Sequence, residues 1–258
     1  EIKQVLSQIS DGFVPPPGHR VVEMVTPDGQ RIKALVEDTS MAMTGRGDGG
    51  STPPTGLSRL PSQIESARLT RDPTSGLITQ IDGKPYQEFV NGLVTQRADE
   101  YRALRKAGVE GYTKTDSGPV VSIVVDRQSG QIFEGTNTQI VNTNQLDPLL
   151  QQRLDALNRQ AQDHGPYHYG SDPTPHPHAH PSAPGTHAEV SAVNQAIAAR
   201  RARGEEVTWN SLERDLFYDN AFMMGGTTRP APTCANCTPI LDGIPTDVGH
   251  FTSFPPNP

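Results

Sequence analysis

Two short strings carry the chemistry of this chain: His187-Ala188-Glu189 and, further on, Cys234-Ala235-Asn236-Cys237. Between them they offer one imidazole, two thiols and one carboxylate. The chain has two cysteines in all, and both lie in the second string. A hydrolytic zinc site takes three nitrogen or sulfur ligands and keeps its fourth position for water. Zinc lowers the pKa of that water, so hydroxide is present near neutral pH. A carboxylate that is not spent as a ligand then carries protons between the water, the substrate and the leaving group. His187, Cys234 and Cys237 are the expected ligands of a Zn²⁺ ion, and Glu189 is the expected proton shuttle.

Each half has a plainer meaning on its own. C-x-x-C also fits a thioredoxin-like redox pair or half of a zinc knuckle. A lone His187 fits a loop or helix cap. Thr186-x-x-Glu189 matches a capping box at the start of an apolar-periodic helix. Two cysteines at i, i+3 cannot staple distant parts of a fold, which excludes a disulfide scaffold. The joint occurrence favours catalysis, because H-x-E followed by C-x-x-C is the order used by zinc-dependent nucleobase deamination.

The 258 residues allow one good core or two small ones. Gly and Pro number 24 each and hydrophobic residues make up 33%, which predicts a compact domain with long irregular segments. No apolar run approaches the ~20 residues of a membrane span, so no membrane partner is expected. The chain opens at Glu1 without a signal peptide and reads as a piece of something longer. Net charge is -7. Phosphate contacts supply most non-specific nucleic-acid affinity, so this balance weighs against a large duplex-binding surface and leaves open a pocket for one base.

The elements that must position these residues follow from periodicity. A hairpin is expected at 21–25 and 32–36 around Pro27-Asp28-Gly29. A Gly/Pro-rich linker follows at 40–59; the Arg46-Gly47-Asp48 inside it is a chance match. A second hairpin pairs 67–71 with 77–81. From Tyr86, apolar residues recur at helical spacing through Leu104, with Gly108 placed to end the helix. Residues 120–125 are β-branched and nearly continuous, as a strand buried on both faces would be. The chain returns through Ser129-Gly130 along 132–134. Asp147-Pro148 opens a helix as cap and first residue. A further helix starts at Thr186-His187 and ends in Arg200, Arg201 and Arg203, whose charges suit the helix dipole or could meet a phosphate. Residues 216–218 read as a strand, 234–241 as a short helix, and 244–248 as a last strand. Two helix N-termini should therefore converge on the metal at one sheet edge.

With these motifs in place, the chain from about Tyr86 to His250, within a domain expected at residues 85–258, resembles the cytidine-deaminase-like superfamily, and within it the bacterial toxin deaminases of the YwqJ-like group. HAEVSAVNQAI from His187 and CANCTPILDG from Cys234 carry the resemblance. It implies a three-layer α/β fold, a central mixed sheet flanked by helices, after an N-terminal extension over residues 1–84. It also implies zinc on His187, Cys234 and Cys237 with Glu189 as shuttle. Many members place an Asn after the second strand against the substrate, which points to Asn137; a plain strand-end turn explains it nearly as well. Thr186 and Ala188 beside the ligand, and Tyr218 and Phe217 on the following strand, are further candidates for substrate contact. One departure stands out: the superfamily has Pro directly before the first Cys, whereas Thr233 here follows Pro232. A long insertion holding Tyr167, Tyr169 and His176-Pro177-His178-Ala179-His180 also precedes the H-x-E helix. It reads as a Pro-stiffened loop near the pocket mouth whose rings could stack on bases.

The expected function is hydrolytic deamination of a base, cytosine first, in single-stranded nucleic acid, with DNA ahead of RNA. The resemblance implies a monomeric C-terminal module of a secreted or delivered toxin, acting in a target-cell cytoplasm and countered by a cognate immunity protein. One alternative keeps the chemistry on a free nucleoside or nucleotide. Another is a non-catalytic interaction module with a structural zinc, which needs a fourth protein ligand.

Overall fold

The β-branched run at 120–125 becomes the middle strand of the main sheet. The structure, a computed structural model, describes residues 56–140 and 142–255 together with the strands at 19–25 and 31–37. Most of the expected linker, Arg46-Gly47-Asp48 and the first hairpin's turn lie outside the described residues. The chain divides into two units, Glu1–Thr52 and Pro53–Pro258. In the first, β1 (His19–Val25) pairs antiparallel with β2 (Arg31–Glu37), Val21 opposite Leu35, as the alternation predicts.

The second unit holds both motifs. Its first sheet is antiparallel: β3 (Leu69–Arg71), β4 (Ile78–Ile81) and β5 (Lys84–Pro85). Helix α1 (Tyr86–Lys106) and the one-turn α2 (Lys114–Ser117) lead into β6 (Val120–Asp126) and β7 (Ile132–Thr136). Helix α3 (Pro148–His164) starts as predicted, with the Asp147 carboxylate accepting from Leu149 N at 3.0 Å. Then come α4 (Ala188–Ala202), α5 (Trp209–Asp215), β8 (Leu216–Phe222) and α6 (Cys237–Leu241).

The main sheet runs β7-β6-β8, and both pairings are antiparallel. Alternation along β6 sends side chains to two cores. Val121, Ile123 and Val125 join Phe217 and Ala221 against Val90, Val94 and Ala98 of α1. Val124 joins Tyr218 against Val190, Val193 and Ile197 of α4 and Leu150 and Leu154 of α3. The result is a mixed α/β unit in three layers, with α1 and the small sheet on one side and α3, α4 and α6 on the other.

Three expectations need correction. The sheet is antiparallel and not mixed, because 244–248 forms no strand. Pro245 has no N–H for a ladder and only its carbonyl meets β8, accepting from Tyr218 N at 3.2 Å, while Asp247 N and Thr246 Oγ1 both donate to the Asp219 carboxylate at 3.1 Å. Just beyond the stretch, Thr233 and His250 form an isolated parallel bridge. Next, α6 begins at Cys237, so Cys234 lies in the turn before it. Finally, the boundary at 84/85 cuts through the second unit: Ile64, Ile78 and Ile81 are buried in the same cluster as Val90 and Val94. Helix α5 was not anticipated; its signal was the capping box Thr208-x-x-Ser211.

The basic end of α4 is spent inside the fold. Arg200, 2% exposed, donates to Asp126 at 2.6 Å and to Asp215 at 3.0 Å. Arg201 pairs with Asp147 and Arg203 with Glu205. A buried charge pair of this kind is costly to break from one side, and it removes Arg200 from any phosphate contact. Among the described residues no helix is long and apolar enough to cross a membrane.

Candidate metal centre

Helix α4 is buried nearly all round over its first ten residues, as small side chains such as Ala188, Ser191, Ala192 and Ala196 allow. Gly135 of β7 makes that seat. A Cβ there would come within 2.0 Å of Ala188 O and 2.7 Å of Ala192 N, so only glycine lets the helix start lie against the strand. Polar ties hold the register: Ser191 Oγ donates to Gln139 Oε1 at 2.7 Å, and Gln195 Nε2 to Glu134 O at 2.7 Å. His187 is therefore fixed as the N-cap residue, and Glu189 sits in the first turn. The capping box expected from Thr186-x-x-Glu189 does not form. His187 makes no side-chain cap bond, Thr186 Oγ1 donates instead to Ala183 O at 2.9 Å, and Glu189 points inward, 4% exposed.

The second motif arrives beside it. Residues 229–231 run along β8, with Phe222 N donating to Arg229 O and Ala231 N to Asn220 O, both at 3.0 Å. Thr233 then explains the missing proline: its N–H donates to Gly249 O at 2.9 Å, its carbonyl accepts from Phe251 N at 2.8 Å, and its hydroxyl meets Tyr218 OH at 2.7 Å. A proline there would lose the first of these bonds. The turn closes through Cys237 N and Thr238 N donating to Cys234 O at 3.0 and 2.9 Å.

His187, Glu189, Cys234 and Cys237 thus come together with their ligand atoms all within 4.8 Å of one another. His187 Nδ1 lies 3.1 Å from both sulfurs. Cys237 is fully buried and Cys234 partly so. Two thiols and an imidazole converging this closely in a buried place could hold a metal ion, and N/S donors of this mix suit zinc. The charges reinforce one another. The Cys237 thiol beside it and the nearby His187 lower Cys234 to about 4. Burial and the Cys234 thiolate push Cys237 well up. Burial alone would lower His187, but the Cys234 sulfur raises it to about 9. Burial, then the Cys234 charge, raises Glu189.

The chain matches no family model, no curated protein and no solved structure.

The remaining candidates separate. Ala188 is buried between helix and strand, and Thr186 stands one residue before His187. Tyr218 is buried on the α4 side of the sheet, so it supports Thr233 and offers no open ring face. Phe217 is 2% exposed on the opposite face, edge-on to Tyr86 at 5.2 Å, which removes it as a stacking residue. Asn137 Oδ1 accepts from Val120 N at 3.0 Å and so ties off the strand end.

One contacting residue was not singled out from the sequence. Asn236, fully buried between the cysteines, donates through Nδ2 to His180 O at 3.0 Å and Ser182 O at 2.8 Å. This holds the His/Pro loop over the centre, with the His180 ring edge-to-face on His187 at 5.5 Å. The only advance signal for Asn236 was its place inside C-x-x-C.

Proposed function

We propose that this chain is a zinc-dependent hydrolase that deaminates a nucleobase, cytosine in single-stranded nucleic acid before other substrates. The observation that carries the reading is the convergence of His187, Cys234 and Cys237 with a buried fourth group, Glu189, within one 4.8 Å cluster. Zinc, when bound, supplies the Lewis acidity that makes water nucleophilic near neutral pH. His187 and the two sulfurs would hold the ion. The Glu189 carboxyl, raised by burial and by the Cys234 charge, is suited to exist in both protonation states. It takes a proton from water as the oxygen adds to C4 of cytosine, delivers one to N3, and passes one to the departing amine. Cytosine and water thereby give uracil and ammonia. A base inside a duplex is out of reach of so buried a carboxyl, so the base must be unstacked first. In a toxin, such an activity would act on the nucleic acids of a target cell, and a bound immunity protein would be needed to block the mouth of the centre.

One observation favours a second reading, an interaction module with a structural metal: Glu189 lies close enough to serve as a fourth ligand. The two readings separate in one experiment. Zinc-loaded protein is incubated with single-stranded DNA, duplex DNA, RNA and free cytidine, followed by sequencing for C-to-T or C-to-U changes and by assay for uridine. Conversion of the single strand ahead of the others supports the proposal. Conversion of free cytidine alone moves the substrate to the nucleoside, and no conversion of any substrate by fully loaded protein leaves the structural metal.

A further inference from the structure

The His/Pro loop is a built element and not a slack connection. Tyr167 and His176 exchange both backbone hydrogen bonds at 2.8 Å, and Tyr169 OH donates to His178 O at 2.7 Å. Between this loop and the end of α3 lies a cavity of about 580 Å³, lined by Asn158, Gln162, Gly165, His176, Pro177 and His178 among others. That volume falls in the range of small-molecule sites. Its chemistry is particular. The amides of Asn158 and Gln162 each present a donor and an acceptor, which is what a base edge requires. Imidazole rings and prolines offer flat faces. No lysine, arginine or carboxylate lines the cavity, so it is not made for a phosphate.

The cavity is also joined to the metal centre by rings. His176, in its wall, stacks on Tyr169 at 3.8 Å. Tyr169 meets Phe254 edge-on at 4.9 Å, Phe254 meets His180 at 5.0 Å, and His180 meets His187 at 5.5 Å. These four loop and tail rings are all partly exposed. Aromatic rings in succession are how sequence-tolerant single-strand binding is built, since every base has a π-face.

We propose that the cavity between α3 and the His/Pro loop is a second nucleobase subsite, taking a base of the same strand that flanks the one at the metal centre. Asn158 and Gln162 read its edge, His176 and the prolines cover its faces, and the strand between follows the ring path. This rests on the nucleic-acid reading above.

The test measures dissociation constants by fluorescence anisotropy. Zinc-loaded Glu189→Gln protein, whose slowed turnover leaves the strands unconverted during the titration, is titrated with fluorescein-labelled deoxycytidine and cytidine oligomers and with an abasic strand of equal length. Asn158→Ala with Gln162→Ala should weaken binding of a base-bearing oligomer about five- to a hundredfold and leave the abasic strand unchanged. Gln162→Trp, at an exposed helix position, fills the cavity without touching the core and should do the same. A loss confined to base-bearing DNA or RNA supports the subsite. Unchanged constants for both oligomers, or an equal loss on the abasic strand, would overturn it. Sequencing after treatment with the unsubstituted protein keeps the two proposals apart. C-to-T or C-to-U changes with unaltered constants remove the subsite alone, whereas base-dependent losses without any conversion remove the deaminase and leave a base-binding cavity.

Discussion

At the scale of single residues, Glu189 and its three neighbours would divide the work of the proposed reaction. Glu189→Gln keeps the volume and removes the proton. If the carboxyl is a shuttle, turnover should drop by about 10²–10⁴-fold while zinc stoichiometry stays the same, read by deamination assay and metal analysis on one sample. A large fall in zinc affinity would instead mark Glu189 as a ligand. The free centre also holds protons that a metal must displace, because His187 is raised to about 9 and Cys237 is pushed up by burial. Ligands bind deprotonated. Zinc affinity should therefore rise with pH from the mildly acid range up through about 9, with proton release on binding. Calorimetry in buffers of different ionisation enthalpy checks this, and affinity independent of pH would contradict the assigned protonation states.

At the scale of elements, the seat of α4 on β7 decides whether the residues meet at all. Gly135→Ala places a methyl group against Ala188 O and Ala192 N. Backbone cannot yield as a side-chain tip can, and overpacking of this sort costs about 1–3 kcal/mol. The expected result is a lower melting temperature together with reduced zinc retention, since the shift falls on the turn that carries His187 and Glu189; an unchanged melting curve would show that the helix can slide. The sequence made the cluster of His187, Glu189, Cys234 and Cys237 legible because C-x-x-C and H-x-E are local spacings. It also made α1, α3, α4 and the β6–β7 hairpin legible, since each buries a periodic apolar face. What stayed hidden depends on contacts distant in sequence. The role of Gly135 needs knowledge of which helix lands on it, Asn236 needs the loop it grips, and Phe217 and Tyr218 differ only by which side of the sheet each faces. The stretch at 244–248 has the apolar residues of a strand, but a proline and a carboxylate elsewhere decide its conformation.

For the molecule as a whole, the core does not respect the composition boundary. The apolar side of α1 is covered by Ile64, Ile78 and Ile81, and burying a side chain of this size is worth about 1.5–3 kcal/mol. Together these exceed a large part of the ~5–15 kcal/mol by which domains are stable. A chain starting at Pro85 should therefore be insoluble or lack a cooperative unfolding transition, whereas one starting at Pro53 should melt as the full chain does. Circular dichroism on the two truncated chains decides it. A soluble, cooperative protein beginning at Pro85 would mean that the small sheet only decorates the core.

Asn236 couples two things that are usually separate. It sits between the two cysteines, and its side chain carries the backbone of His180 and Ser182. Whatever steadies the cysteine turn steadies a loop that holds Tyr167 and Tyr169, both cleavage points for chymotrypsin. Stripping the metal should consequently open the loop to nicking at those tyrosines, and restoring it should close them again. The occupancy of the buried centre would then be legible from outside, as the rate at which a protease cuts a loop that does not touch the ion.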